Sequence, residues 1–81
     1  MDNDEIIWQG NLNDDCTAEW QGMTLHAEEM DKAYWWWAVY DELNELIDDS
    51  DSHHPERYKK GKTAREAAEL AARKAYAAKS N

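Results

Sequence analysis

The sequence predicts an α+β domain: an antiparallel meander of three or four strands with one C-terminal α-helix packed on one face. Three observations point there. Apolar and polar residues alternate through the first half, aromatics concentrate in Tyr34–Tyr40, and an alanine-rich stretch with helical spacing closes the chain. At 81 residues there is room for a single domain. Its expected order is a sheet over 5–48, an acidic-to-basic loop over 48–62 and a helix over 63–78.

Asp2 to Glu5 form a short, frayed acidic start. Ile6, Trp8, Gly10 and Leu12 then alternate with Ile7, Gln9 and Asn11, the pattern of a first strand with an apolar face. Asn11 to Asp15 is turn chemistry, because Asn and Asp side chains bond their own backbone. A second strand starts near Cys16, with Cys16, Ala18 and Trp20 on one face. Gly22 shifts the phase, and Met23, Leu25 and Ala27 continue it, so Gly22 reads as a bulge. The triplet Trp8-Gln9-Gly10 recurs as Trp20-Gln21-Gly22, suggesting two strands that each pack a Trp and kink at a Gly. Glu28 to Lys32 reads as the connection into the aromatic strand.

In that strand, Trp35, Trp37 and Val39 face one way, and Tyr34, Trp36, Ala38 and Tyr40 the other. A helix is the competing reading, since Met30, Ala33, Trp37, Tyr40 and Ile47 also fit helical spacing. Three consecutive tryptophans would put bulk all round a helix, whereas a sheet accepts it on both faces. Asp41 to Asn44 make a turn, and Glu45 to Ile47 a short fourth strand. Asp48 to Pro55 is a loop by composition and continues to Lys62. Thr63-Ala64-Arg65-Glu66 has the form of a capping box, with Thr63 as N-cap. Behind it, Ala64, Ala67, Ala68, Ala71, Ala75 and Ala78 make a stripe that lets a helix approach a sheet whose tryptophans fill the gap. One helix covers one sheet face. The other face, with Tyr34, Trp36 and Tyr40 as the outward set, is expected to be an interaction patch.

The chemistry-bearing residues form no recognisable catalytic set. Cys16 is alone, which excludes an internal disulfide and suits a buried small hydrophobe. His53 and His54 lie beside Asp48, Asp49 and Asp51, but neighbouring imidazoles do not easily reach one ion and nothing nearby completes a set. Gly61-Lys62-Thr63 matches the end of a phosphate-binding loop whose first glycine position holds Glu56. His26 has no serine or cysteine partner at a nucleophile elbow. The expectation is a non-enzyme with no metal and no cofactor. The absence of a signal peptide or long apolar run points to an intracellular protein that does not enter a membrane.

Charge is unevenly spread behind the net −9. Residues 1–54 hold fifteen Asp and Glu against Lys32 alone, and residues 55–81 hold eight Lys and Arg against three acids. The basic run Arg57-Tyr58-Lys59-Lys60-Gly61-Lys62 could touch phosphate, but the upstream acids oppose direct nucleic-acid binding. A negative field instead attracts a basic partner. The candidate partner-binding residues are Tyr34, Trp36 and Tyr40 for affinity, with Asp14, Asp15, Glu28, Glu29, Asp48, Asp49 and Asp51 for steering.

In size, acidity and the order of strands followed by a capped helix, the chain resembles the small acidic inhibitors carried by phages and mobile elements. Anti-CRISPR proteins and DNA-mimic anti-restriction proteins are that group. The resemblance is compositional, spans the whole chain and rests on no motif; the basic C-terminal third departs from an all-acidic mimic. It implies a protein in the cytoplasm of a bacterial host that docks on a basic, nucleic-acid-handling protein or nucleoprotein complex and inhibits it. The alternative, from a different class, is a small structural or accessory domain that homodimerises through an aromatic sheet face.

Overall fold

Turn residues cut the first half of the chain into strands more finely than alternation alone suggests. In the computed structural model, which describes residues 5–31, 34–52 and 59–79, five antiparallel strands form one meander sheet. The strands are β1 Gln9–Asn11, β2 Asp15–Trp20, β3 Met23–Asp31, β4 Tyr34–Tyr40 and β5 Leu46–Asp49, followed by the helix α1 Gly61–Lys79. They lie side by side in sequence order. The α+β class is as expected, with one strand more than the three or four anticipated.

The extra strand comes from Gly22. Gln21 and Gly22 both have positive φ, 53° and 81°, and Trp20 pairs directly with Met23. That is a two-residue hairpin turn whose twist matches the flanking strands, not a bulge. The expected second strand is therefore two strands, β2 and β3. β3 also runs on to Asp31, so Glu28 to Asp31 is strand and not connector; the register shift falls between Glu29 and Asp31. The helical alternative for residues 30–47 is overturned, since β4 pairs with β3 and β5.

Two other turns follow their side-chain chemistry. The Asn11 carboxamide accepts from the Asn13 N–H at 2.9 Å, and the Asn11 carbonyl accepts from the Asp14 N–H at 3.0 Å. The Asp41 carboxylate accepts from the N–H groups of Leu43 and Glu45, both at 2.9 Å, while Asn44 takes the left-handed conformation with φ 64°. The first strand is shorter than expected. Only Gln9–Asn11 pair, although Ile6 and Trp8 pack toward the core, and Leu12 is exposed in the turn.

The helix starts two residues before the expected cap. The Ala64 N–H donates to the Lys60 carbonyl at 3.1 Å, so Lys60 holds the cap position and Thr63 lies inside the first turn. Gly61 makes the early start possible, because it has no Cβ to strike the Trp35 ring. The loop expected over 48–62 also begins later. β5 reaches Asp49, and a 3-10 turn over Ser50–Ser52 follows, with the Asp49 carboxylate accepting from the Ser52 N–H at 3.0 Å and hydroxyl at 2.8 Å. Residues 1–4, 32–33, 53–58 and 80–81 lie outside the described residues, and with them most of the expected acidic start, Lys32, His53, His54, Arg57 and Tyr58.

The core lies between α1 and one face of the sheet. Ala64, Ala68 and Ala72, one helical turn apart, have no exposed surface, and Ala67, Ala71 and Ala75 flank them. Ala72 was absent from the expected stripe and lies on its buried line, while Ala78 is exposed. Opposite this flat stripe stand four of the five tryptophans. Trp35 packs at the helix start and Trp37 is nearly fully buried. Trp8 donates its indole N–H to Glu69 at 2.8 Å. Trp20 meets Tyr76 edge-on at 5.3 Å and the Arg73 guanidinium over its ring at 5.0 Å. Large rings thus replace the bulk the helix lacks. Cys16 packs as expected, and burial pushes its thiol above the ordinary range against the opposing pull of Arg65. Among the described residues, no helix is long and apolar enough to cross a membrane.

Candidate functional site: the outer face of the sheet

The register of the meander decides which polar side chains meet on the face away from the helix. Asp15, Glu28 and Trp36 lie in one row across β2, β3 and β4. Thr17, His26, Ala38 and Asp49 make the next row, and Glu19, Thr24, Tyr40 and Leu46 the third. Directly paired residues share a face, so these rows form a single surface.

Along β4, Trp35, Trp37 and Val39 are buried in the helix-side core, while Tyr34, Trp36 and Tyr40 turn outward, the alternation anticipated from sequence. The outward rings are half-buried rather than bare. Ala38, flanked by Trp36 and Tyr40 on its own strand and by His26 across the sheet, has no exposed surface. The His26 and Trp36 rings meet edge to face, 5.3 Å between centroids at 85°. The outer face therefore carries a small aromatic layer of its own, extended at its edge by the exposed Leu46.

Around this layer the polar chemistry is acidic. His26 Nε2 lies 2.6 Å from Asp15 Oδ1 and 3.6 Å from Glu28 Oε1. Glu19 is exposed on the same face. Every described Lys and Arg falls within residues 59–79, on or just before the helix that covers the opposite face. The charge asymmetry of the sequence has become an asymmetry between two sides of the molecule.

The ten candidate residues do not all gather here. Tyr34, Trp36, Tyr40, Asp15, Glu28 and Asp49 share the outer face. Glu29 pairs with Trp35 and Asp48 with Val39, so both lie toward the helix side. Alternation separates each from its chain neighbour, and the acidic pairs Glu28-Glu29 and Asp48-Asp49 are split between faces. Asp14 sits in the β1–β2 turn, where its carbonyl accepts from the Glu29 N–H at 2.7 Å, and Asp51 is exposed in the 3-10 turn. Sequence reasoning overlooked His26, Glu19 and Leu46 as parts of this surface. His26 was legible as two residues before Glu28 on one strand; its meeting with Asp15 needed the Gln21-Gly22 turn to set the register.

Away from the outer face, a groove near the helix C-terminal end is lined by Met23, Ile47, Ala75 and Tyr76 with Gln21 and Asp41. It gathers no comparable set of polar groups. Comparison with family models, curated proteins and solved structures found nothing that matches this chain.

Proposed function

We propose that the chain is a non-enzymatic docking protein that uses the outer sheet face to bind and block a basic, nucleic-acid-handling partner. The observation that carries this reading is the coincidence of Tyr34, Trp36 and Tyr40 with Asp15, Glu19, Glu28 and Asp49 on one face, with all described Lys and Arg elsewhere. Aromatic rings beside carboxylates suit Arg and Lys side chains, which can stack on a ring and pair with an acid together. Acids around the patch speed encounter with a positive surface, and the rings supply the contact that holds it.

The test is a matched comparison of wild type, Trp36→Ala and Glu19→Lys as baits at low and high salt. The reading expects a basic partner retained by wild type, lost from Trp36→Ala and weakened by Glu19→Lys and by salt. It also expects that partner to lose nucleic-acid binding or cleavage when the wild-type chain is added. A salt-insensitive self-association abolished by Trp36→Ala, seen by analytical ultracentrifugation with no basic partner, would replace docking with homodimerisation through the same face.

A further inference from the structure

We propose that Asp15, His26 and Glu28 form a binding site for a divalent transition-metal ion of the zinc type. The three side chains offer one imidazole nitrogen and two carboxylate oxygens, all within 4.8 Å of one another. Zinc takes His nitrogen and carboxylate oxygen at about 2.0–2.2 Å, so bound ligand atoms stand roughly 3–3.5 Å apart. The 2.6 Å and 3.6 Å spacings from Nε2 bracket that range. Small rotamer changes of two surface carboxylates are enough to admit the ion.

The register supplies an independent argument for a cation. Asp15 and Glu28 are directly opposite each other on paired strands, and like charges so placed cost stability. An ion between them reverses the sign of that interaction. His26, two residues before Glu28 on the same face, adds a nitrogen donor, which favours zinc-type ions over calcium or magnesium. The edge contact with Trp36 limits the orientations open to the imidazole. Binding places the ion between Nε2 and Asp15, so the neutral imidazole presents a bare Nε2 and carries its single ring proton on Nδ1. Water completes the coordination on the open side.

Titration calorimetry of the full chain with zinc chloride tests the site without any protein partner, so its outcome is separate from that of the docking reading. The expected result is one ion per chain, with affinity reduced by at least about 10- to 100-fold in His26→Gln and in Glu28→Gln, because a direct ligand is worth no less than the outer-shell partner of one. The double variant His53→Gln/His54→Gln should bind as wild type. Zinc should also raise the melting temperature of wild type and of that double variant, but not of His26→Gln. Should His26→Gln fail to fold, Glu28→Gln carries the comparison alone. Zinc binding unchanged in His26→Gln and Glu28→Gln, lost in the His53/His54 variant, or displaced equally by magnesium would overturn the proposal.

Discussion

Gly61 stands so close to Trp35 that a Cβ at position 61 would lie 2.8 Å from the indole Cζ2. The first residue of the helix thus rests on an aromatic ring from the middle strands of the sheet. In an open helix, Gly→Ala would gain about 0.5–1 kcal/mol. Here overpacking dominates, and Gly61→Ala is expected to cost about 1–3 kcal/mol net. Denaturant midpoints of Gly61→Ala and the exposed control Lys62→Ala measure it; a stabilised Gly61→Ala would show that the ring yields freely.

The buried line Ala64-Ala68-Ala72 predicts where added bulk is not tolerated. Ala68→Leu should destabilise by about 1–3 kcal/mol, because Trp37 and its neighbours already fill the interface. Ala77 is exposed, and Ala77→Leu should melt close to wild type. Equal melting temperatures would mean the helix docks through another face.

Trp36 and Trp37 are neighbours with opposite duties. Trp37→Ala should lose about 3–5 kcal/mol of stability as a buried truncation. Trp36→Ala should cost much less stability, yet at least about 2 kcal/mol of partner binding or self-association. Parallel melts and binding assays distinguish them, and matching effects in both assays would contradict the division of faces.

Charge reversal is best made where no structural bond depends on the side chain. Asp49 holds the 3-10 turn and Asp15 pairs with His26, whereas Glu19 is exposed on the outer face. Glu19→Lys is expected to slow partner association, more at low salt than at high, with little change in melting. Association rates indifferent to both would remove steering from the account.

Cys16 should resist alkylation in the native state, because burial both shields the thiol and raises its pKa. The sign for stability follows. The unfolded chain releases the thiol proton at lower pH than the folded one, so stability is intact below the ordinary thiol pKa and falls as pH rises through the interval between the two. Iodoacetamide labelling of native and denatured protein, with melts of wild type and Cys16→Ala across alkaline pH, checks both. Equal labelling rates would place the thiol at the surface.

The sequence made some of this legible. Strand alternation was enough to divide Trp35, Trp37 and Val39 from Tyr34, Trp36 and Tyr40, because period-two geometry is local. The alanine stripe announced a helix lying close to a bulky sheet face. Gln21-Gly22 was missed because a glycine that shifts the phase of an alternating stretch can signal either a bulge or a turn, and Gln is an unusual partner in a two-residue hairpin. That ambiguity concealed the outer surface as well. Until β2 and β3 are separate strands, Asp15 has no reason to stand opposite Glu28. The helix start was misplaced because a good capping pattern at Thr63 competed with a packing opportunity at Gly61, and packing prevailed.

The sequence-ordered meander also bears on how the chain acquires its shape. Every strand hydrogen-bonds only to the strand before or after it. The two-residue turn between β2 and β3 closes a loop as short as any in the sheet, so that hairpin has little entropy to lose in forming. Zippering can then proceed outward to β4 and β5 through neighbours, without the distant pairings that slow many all-β domains. On this route the helix, remote in sequence from β2, would add its contacts after its tryptophan bed has been laid. Folding kinetics on this route would be most sensitive to the Gln21-Gly22 turn, and unfolding rates most sensitive to the alanine face.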